Sequence, residues 1–173
     1  LHFWEEPCIS GERGSGTVFF SGCSLRCVFC QNREISRGEA GKIISRERLT
    51  EIFLELQGKG AHNINLVTPD HYCREIAPAI AEAKKRGLSI PVVTNTGGYV
   101  SNEQYDVLRT YTDIWLTDFK YSDPALAQRY SGAYDYPEVA AAALDRMVRD
   151  TGAPVYGEDG MLKSGVIVRI LLL

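Results

Sequence analysis

The chain has 173 residues, of which 45% are apolar and 24% are charged, as is typical of an ordinary globular protein. Its formal net charge is −3 at pH 7, with both signs mixed and no block of Lys or Arg, so the sequence gives no electrostatic support for nucleic-acid binding. It contains no run of 18 apolar residues, so we expect no membrane-spanning segment.

The apolar pattern predicts strands that alternate with helices along the chain. The predicted strands are residues 17–20, 63–67, 90–94, 113–119 and 165–173. The predicted helices are residues 46–57, a segment that ends near 86, short segments after 101 and 124, and 137–149. Ser45 and a capping box of Ser101 with Gln104 mark two helix starts, and Asp159-Gly160 predicts a hairpin turn.

This alternation predicts an α/β fold with a parallel sheet and helices outside it. Two architectures fit, a doubly wound open sheet and part of a (βα) barrel. A complete eight-fold barrel needs about 200 to 250 residues, so this chain would hold only five or six units of one. The last predicted strand stops at Leu173 without a following turn. We therefore expect a single domain over residues 1–173 that is truncated at both ends.

Three of the five cysteines, Cys23, Cys27 and Cys30, lie within eight residues at the spacing C-x3-C-x2-C. Ser21-Gly22 breaks the preceding strand, so the three are predicted to lie on a loop and not in a helix. Three thiolates from one short loop can hold a metal cluster and leave one metal atom without a protein ligand, where chemistry takes place. The odd cysteine count and the lack of a signal peptide disfavour disulfides, so we expect a reducing, cytoplasmic compartment.

Polar residues follow the second and third predicted strands and close the fourth, where parallel α/β folds build their sites. They are Thr68, Asp70, His71, Asn95, Thr96, Asp118 and Lys120. Asp118 and Lys120 are two residues apart on a strand and face one side, so they pair with each other or with a ligand. Arg169 interrupts an apolar strand, where a charge is costly unless it is paired or directed at an anionic group.

The cysteine loop after a first strand, with Phe29 just before the last cysteine, resembles the radical S-adenosylmethionine (SAM) superfamily. Longer stretches resemble its pyruvate formate-lyase activating enzyme-like subgroup, and the similarity covers nearly the whole chain. These stretches are Glu5-Glu6-Pro7, Gly14-Ser15-Gly16-Thr17, Cys30-Gln31-Asn32, residues 60–69 and residues 118–123. Of the two architectures that fit the alternation, the resemblance implies the partial (βα) barrel.

The resemblance implies that Cys23, Cys27 and Cys30 bind three irons of a 4Fe–4S cluster, whose fourth iron binds SAM. Reductive cleavage of SAM would give a 5′-deoxyadenosyl radical, which in activating enzymes takes a hydrogen atom from a glycine of a partner enzyme. The implied partners are a glycyl radical enzyme and a low-potential electron donor such as flavodoxin or ferredoxin. Cys8 lies where relatives usually lack a cysteine, and Cys73 is predicted to be buried packing, so we expect neither to bind the cluster.

The resemblance also implies which residues contact SAM. Phe29 would pack near the adenine, and Thr68 stands where many relatives have a Gly-Gly-Glu-type motif. Asn95 and Thr96 match an Asp-Thr motif, with Asn in place of Asp. Asp118 and Lys120 match a pair that lies near the ribose and the carboxylate of SAM. Arg169 matches an arginine that faces the barrel interior.

Two alternatives remain open. The first is a radical SAM enzyme that acts on a small molecule. The second is a binding protein in which the three cysteines and one histidine, His62 or His71, form a closed structural zinc site. Zinc ligands usually come in two halves of the C-x2-C type, and the sequence has only one such half, which disfavours zinc.

Overall fold

The computed structural model describes residues 1–171 and shows an α/β fold built on one sheet. The strands are β1 Gly16–Phe19, β2 Ile64–Val67, β3 Val92–Thr96, β4 Ile114–Phe119, β5 Val155–Tyr156 and β6 Leu162–Ile170. The helices are α1 Pro7–Ser10, α2 Arg33–Ser36, α3 Arg46–Gly58, α4 Cys73–Lys85, α5 Asn102–Leu108, α6 Pro124–Ser131 and α7 Tyr136–Thr151. A short 3-10 turn at Asp70–Tyr72 leads into α4.

The strand order is β1-β2-β3-β4-β6-β5, and β1, β2, β3, β4 and β6 run parallel to their neighbours. β5 pairs antiparallel with β6, which confirms the hairpin predicted at Asp159-Gly160. Within residues 1–171 the sheet does not close on itself, because β1 and β5 stand at its two edges. The five parallel strands agree with the predicted partial barrel.

The long helices cover only one face of the sheet. On that face Leu66 and Trp115 pack with apolar residues of α3, α4, α5 and α7. On the opposite face, which we call the inner face, Ile114 and Leu116 pack against Ile9 in the single turn of α1. A doubly wound sheet carries helices on both faces, so this arrangement favours the barrel architecture over the alternative.

Two strands, β3 and β6, differ from the prediction by more than one residue at a boundary. β3 begins after Pro91, which has no N–H to donate to the sheet, and it continues through Asn95 and Thr96, which pair in register with β4. Those two residues therefore belong to the strand and not to the loop after it. β6 begins at Leu162 and not at residue 165, because its first residues form the hairpin with β5. β6 ends at Ile170, so Leu171 does not continue the strand as predicted, and residues 172–173 lie outside the described residues.

Side-chain caps fix the helix starts as the sequence predicts. Ser45 accepts a hydrogen bond from the amide of Arg48 at the start of α3, and Ser101 with Gln104 forms the complete capping box of α5. Asp123 caps α6, whose first residue is a proline. No helix among residues 1–171 combines the length and the apolar character needed to cross a membrane.

Ile76 tests the packing of the helical layer. It is fully buried in α4 within the main core, so Ile76→Ala should lower the free energy of unfolding by about 2–5 kcal/mol. Chemical denaturation followed by circular dichroism measures this loss. Ile43→Ala is the control, because Ile43 is fully exposed and its truncation should change stability by less than about 0.5 kcal/mol. Equal losses in the two variants would contradict the packing described here.

Candidate active site

The cysteine loop, residues 20–30, follows β1 and is held by backbone hydrogen bonds on two sides. The amide of Arg26 donates to the carbonyl of Ser131 at the end of α6, at 2.9 Å. The amide of Gly22 donates to the carbonyl of Ile35 in α2, at 2.8 Å. The loop is therefore positioned by two short helices that come later in the chain.

His71, in the turn after β2, supports the start of the same loop. Its Nε2 atom lies 2.8 Å from the carbonyl oxygen of Ser21, to which it donates a hydrogen bond. Gly22 follows with a φ of 95°, and a Cβ at this position would lie 3.0 Å from His71 Nε2. Glycine is thus required here both by the left-handed backbone and by the close imidazole.

The three cysteine side chains are partly exposed, and none forms a disulfide among residues 1–171. Ser131 Oγ donates a hydrogen bond to Cys27 Sγ at 2.9 Å, and Cys30 Sγ lies 3.4 Å from Ser36 Oγ. Burial raises the pKa of the Cys23 thiol, and negative charge on Asp70, Cys27 and Cys30 adds to the rise. An ionised Cys23 would therefore be repelled by ionised Cys27 and Cys30.

This set of donors fits an iron–sulfur cluster. Positively charged iron would offset the repulsion between the thiolates, since metal binding drives thiols to the ionised form. Within the described part of the chain, no three His, Cys, Asp or Glu side chains are grouped closely enough to hold a single ion. In a four-iron cluster Cys23, Cys27 and Cys30 would each bind a different iron, so the three need not converge on one ion.

Neither histidine of the zinc alternative is directed at the cysteines. The imidazole of His71 is hydrogen-bonded to the carbonyl of Ser21. His62 lies before β2, at the other end of the sheet, where its Nδ1 atom is 2.9 Å from a guanidinium nitrogen of Arg13. The geometry of residues 1–171 therefore does not support a closed site with one histidine and three cysteines.

Charged side chains of β4 and β6 meet on the inner face. Asp118 and Arg169 are paired in register, and Arg169 Nε donates to Asp118 Oδ1 at 2.8 Å. The other oxygen of Asp118 accepts from Lys120 Nζ at 2.5 Å, so the predicted pairing of these two residues is present. Arg169 also donates to Asn95 Oδ1 at 2.7 Å, and its Nη1 lies 3.4 Å from Glu5 Oε2.

This network, which we call the inner-face network (Glu5, Asn95, Asp118, Lys120 and Arg169), holds two charges of each sign. The exposed fractions of the charged side chains are 10% for Glu5, 15% for Lys120, 19% for Asp118 and 36% for Arg169. Ions shielded from water to this degree are stable only when they are paired. The pairing explains how the otherwise apolar strands β4 and β6 carry charges.

Gly98 and Tyr136 hold the loop after β3 against the end of β4. The hydroxyl of Tyr136, the first residue of α7, accepts from the amide of Lys120 and lies within donating distance of the carbonyl of Gly97, both at 2.9 Å. Gly98 has a φ of 80°, and a Cβ at this position would clash with the carbonyl oxygen of Asp118. Any side chain at position 98 would therefore push the two segments apart.

Thr96 and Asp70 form a buried pair on the helical side of the sheet. Thr96 Oγ1 donates to Asp70 Oδ2 at 3.0 Å and accepts from the amide of Gly98. The other oxygen of Asp70 is buried and has no hydrogen-bond partner among the described residues. Burial raises the pKa of Asp70 to about 7. The side chain of Thr96 thus braces the loops, and its predicted contact with SAM stays a prediction.

Thr68 and Phe29 lie in the two loops beside the cysteines. Thr68 has a φ of 56°, unusual for a residue with a side chain, and its amide donates to the carbonyl of Asn95 at 2.8 Å. The ring of Phe29 is tilted against that of Tyr121, with the centroids 6.4 Å apart. These contacts fix the backbone after β2 and the aromatic ring before the last cysteine.

Several residues that build the site were not predicted from the sequence. Glu5 accepts hydrogen bonds from the side-chain amides of Asn65 and Asn95, at 3.2 and 3.4 Å. Ser131 and Tyr136 reach the site from the helices after β4. A polar Asn65 in an apolar strand was a usable signal, since such a side chain needs a partner. Glu5, Ser131 and Tyr136 gave no such signal.

Comparison with known proteins is consistent with this geometry. The sequence profile of the Radical SAM superfamily matches residues 17–156, which include the cysteine loop and, except for Gly16, the strands β1 to β5. The chain belongs to the radical SAM superfamily. It is also 31% identical over 147 residues to the uncharacterized protein MJ0674 of Methanocaldococcus jannaschii. The match covers 80% of this chain, which spans 42% of the length of that relative.

Asp70 makes stability depend on pH. Its pKa is about 7 in the folded protein against an ordinary 3.8, so the protonated form is favoured by folding. That advantage is complete below pH 4 and is lost as the pH rises through 7. Asp70→Asn, which imitates the neutral acid, should therefore raise stability at pH 8 by at most about 4 kcal/mol and have little effect near pH 4.

Thermal unfolding at a series of pH values measures this difference. Asp145→Asn is the matched control, because Asp145 is exposed and its replacement should change stability little across the same range. If Asp70→Asn changed the stability by the same amount at pH 4 and at pH 8, the raised pKa of the buried Asp70 would be contradicted.

Proposed function

We propose that the protein is a radical SAM enzyme in which Cys23, Cys27 and Cys30 hold a 4Fe–4S cluster and the inner-face network helps to bind SAM. The observation that carries this proposal is the meeting of the cysteine loop and the network at the carboxyl end of the strands. A Cβ at Gly97 would lie 3.2 Å from Leu25 of the cysteine loop and 3.7 Å from the Lys120 side chain. Gly97 thus marks where the two halves of the site adjoin.

When bound and reduced, the cluster supplies the electron that cleaves a carbon–sulfur bond of SAM, giving methionine and a 5′-deoxyadenosyl radical. The protein itself binds and orients the cluster and SAM, and it excludes water from them. The loop that bears the cysteines is held by hydrogen bonds from α2, α6 and His71. A loop fixed in this way presents its three sulfurs without a further cost of ordering.

The inner-face network offers groups that match the polar parts of SAM. Lys120 and Arg169 are cations suited to a carboxylate, and Asp118 accepts hydrogen bonds of the kind that ribose hydroxyls donate. Phe29, which is only partly buried, has a ring face of the kind on which adenine packs. Between the cysteine loop and these charges, Thr68 offers its backbone polar groups to the ligand and Asn95 offers its side-chain amide.

The finer proposal is that the 5′-deoxyadenosyl radical installs a glycyl radical on a partner enzyme, with an electron donor such as flavodoxin or ferredoxin. Its support is the resemblance to the activating-enzyme subgroup over nearly the whole chain. One of the resembling stretches is Glu5-Glu6-Pro7, and Glu5 contacts Arg169 in the inner-face network. Reduced thiols are needed to hold such a cluster, so we also propose a reducing, cytoplasmic compartment.

Replacement of one cysteine tests the cluster. Cys27→Ala should lower the bound iron and abolish the dithionite-dependent cleavage of SAM, because only two of the three thiolates remain. Iron and sulfide analysis after anaerobic reconstitution, with chromatography of 5′-deoxyadenosine, measures both effects. Cys8→Ala is the matched control, since Cys8 lies in α1 and packs against the core there, and it should keep the iron content and the cleavage of the parent protein.

The colour of the reconstituted protein separates the iron and zinc hypotheses. The proposal expects a brown protein with broad visible absorbance, whereas a colourless protein that retains zinc would refute it. Incubation with a glycyl radical enzyme then tests the finer proposal by electron paramagnetic resonance of the partner. A protein that cleaves SAM but produces no glycyl radical in any such partner would support the alternative of a small-molecule substrate.

A further inference from the structure

Two buried hydroxyl groups form a chain of hydrogen bonds that ends on a cysteine of the proposed cluster. Tyr121 Oη lies 2.8 Å from Ser131 Oγ, and Ser131 Oγ lies 2.9 Å from Cys27 Sγ. Tyr121 and Ser131 are 5% and 1% exposed. Water therefore does not compete for these contacts, and hydrogen bonds at low local dielectric are stronger than at the surface.

The direction of the chain follows from the number of protons. A thiolate can only accept hydrogen bonds, so the single hydroxyl proton of Ser131 points at Cys27 when this cysteine is ionised. Ser131 Oγ must then accept from the hydroxyl of Tyr121. Burial raises the pKa of Tyr121 above its usual value of 10, so the phenol keeps the proton that it donates.

Both hydroxyls are held in place by other contacts. The carbonyl of Ser131 accepts from the amide of Arg26 in the cysteine loop, at 2.9 Å. The ring of Tyr121 packs edge-on against Tyr136, with centroids 5.6 Å apart, and is tilted against Phe29. The hydroxyl chain is therefore preorganised and not a chance contact of mobile surface groups.

Cys30 has no equivalent donor in Ser36. Ser36 Oγ lies 3.4 Å from Cys30 Sγ, whereas Ser131 Oγ lies 2.9 Å from Cys27 Sγ. The carbonyl of Arg33, at 3.1 Å, also competes for the single proton of Ser36. The chain thus offers two serines beside two cluster cysteines, of which Ser131 is the closer donor to sulfur.

We propose that Ser131, supported by Tyr121, is a positioning residue that raises the reduction potential of the cluster by donating a hydrogen bond to Cys27. Addition of an electron increases the negative charge on the sulfur ligands, and a hydrogen-bond donor stabilises that charge. The reduced state is therefore favoured over the oxidised state. This inference rests on the proposed function, because it requires that Cys27 binds the cluster.

A redox titration of the reconstituted protein without SAM, followed by electron paramagnetic resonance, tests the proposal. Ser131→Ala should move the midpoint potential to a more negative value. Tyr121→Phe should move it in the same direction by a smaller amount, because Ser131 remains but loses its polarising partner. Ser131→Thr, which keeps a hydroxyl, should restore most of the potential of the parent. Iron content is measured in each variant, so that potentials are compared only between loaded proteins.

Ser36→Ala is the matched control and should leave the midpoint potential close to that of the parent. A Ser131→Ala potential equal to that of the parent, or a shift no larger than that of Ser36→Ala, would overturn the inference. Should Ser131→Ala fail to hold iron, Tyr121→Phe decides, and an unchanged potential in that variant overturns the inference. A parent protein that binds no cluster would instead refute the proposed function itself.

Discussion

The ion pair between Asp118 and Arg169 connects the parts of the molecule that form the candidate site. The two residues face each other on neighbouring parallel strands, and their side chains meet on the inner face. Asp118 also binds Lys120, and Arg169 reaches Asn95 on β3 and Glu5 near the amino terminus. Loss of either partner would leave the other with fewer hydrogen bonds in a site partly shielded from water, which is destabilising.

The loops that carry the site residues are fixed by contacts from a surrounding layer. His71 and the end of α6 hold the cysteine loop, Tyr136 joins the loop after β3 to the end of β4, and Asp70 with Thr96 supports the same loop from the helical side. None of these bracing groups needs to touch a ligand. Such support reduces the freedom of the loops, so the site is preorganised by the fold.

The local features of the fold could be predicted from the sequence, since they depend on short-range patterns. The capping box at Ser101, the cysteine spacing and the alternation of strands and helices all lie within short windows. The pairing of Asp118 with Lys120 was one of two readings that the strand period allowed. β3 was placed two residues early, because its apolar run begins before Pro91 while pairing with β4 extends through Thr96.

The rest of the site depends on contacts between distant residues, which no local pattern encodes. Glu5 meets Arg169 across a separation of 164 residues, and Ser131 meets Cys27 across 104. Only the folded arrangement of strands, helices and loops brings these pairs together. From sequence, a serine near a helix end is interpreted as an ordinary cap, and a glutamate near the amino terminus is interpreted as a surface charge. Their roles therefore emerge only from the three-dimensional arrangement.

The paired state of the inner-face network also shapes how it would bind a zwitterionic ligand. Asp118, Lys120 and Arg169 already satisfy one another, so a ligand carboxylate must compete with Asp118 for the two cations. Much of the Coulombic gain would then be an exchange of one pair for another, with little net free energy. Under the proposed function the network would therefore contribute mainly orientation, and most of the affinity for SAM would have to come from contacts outside it.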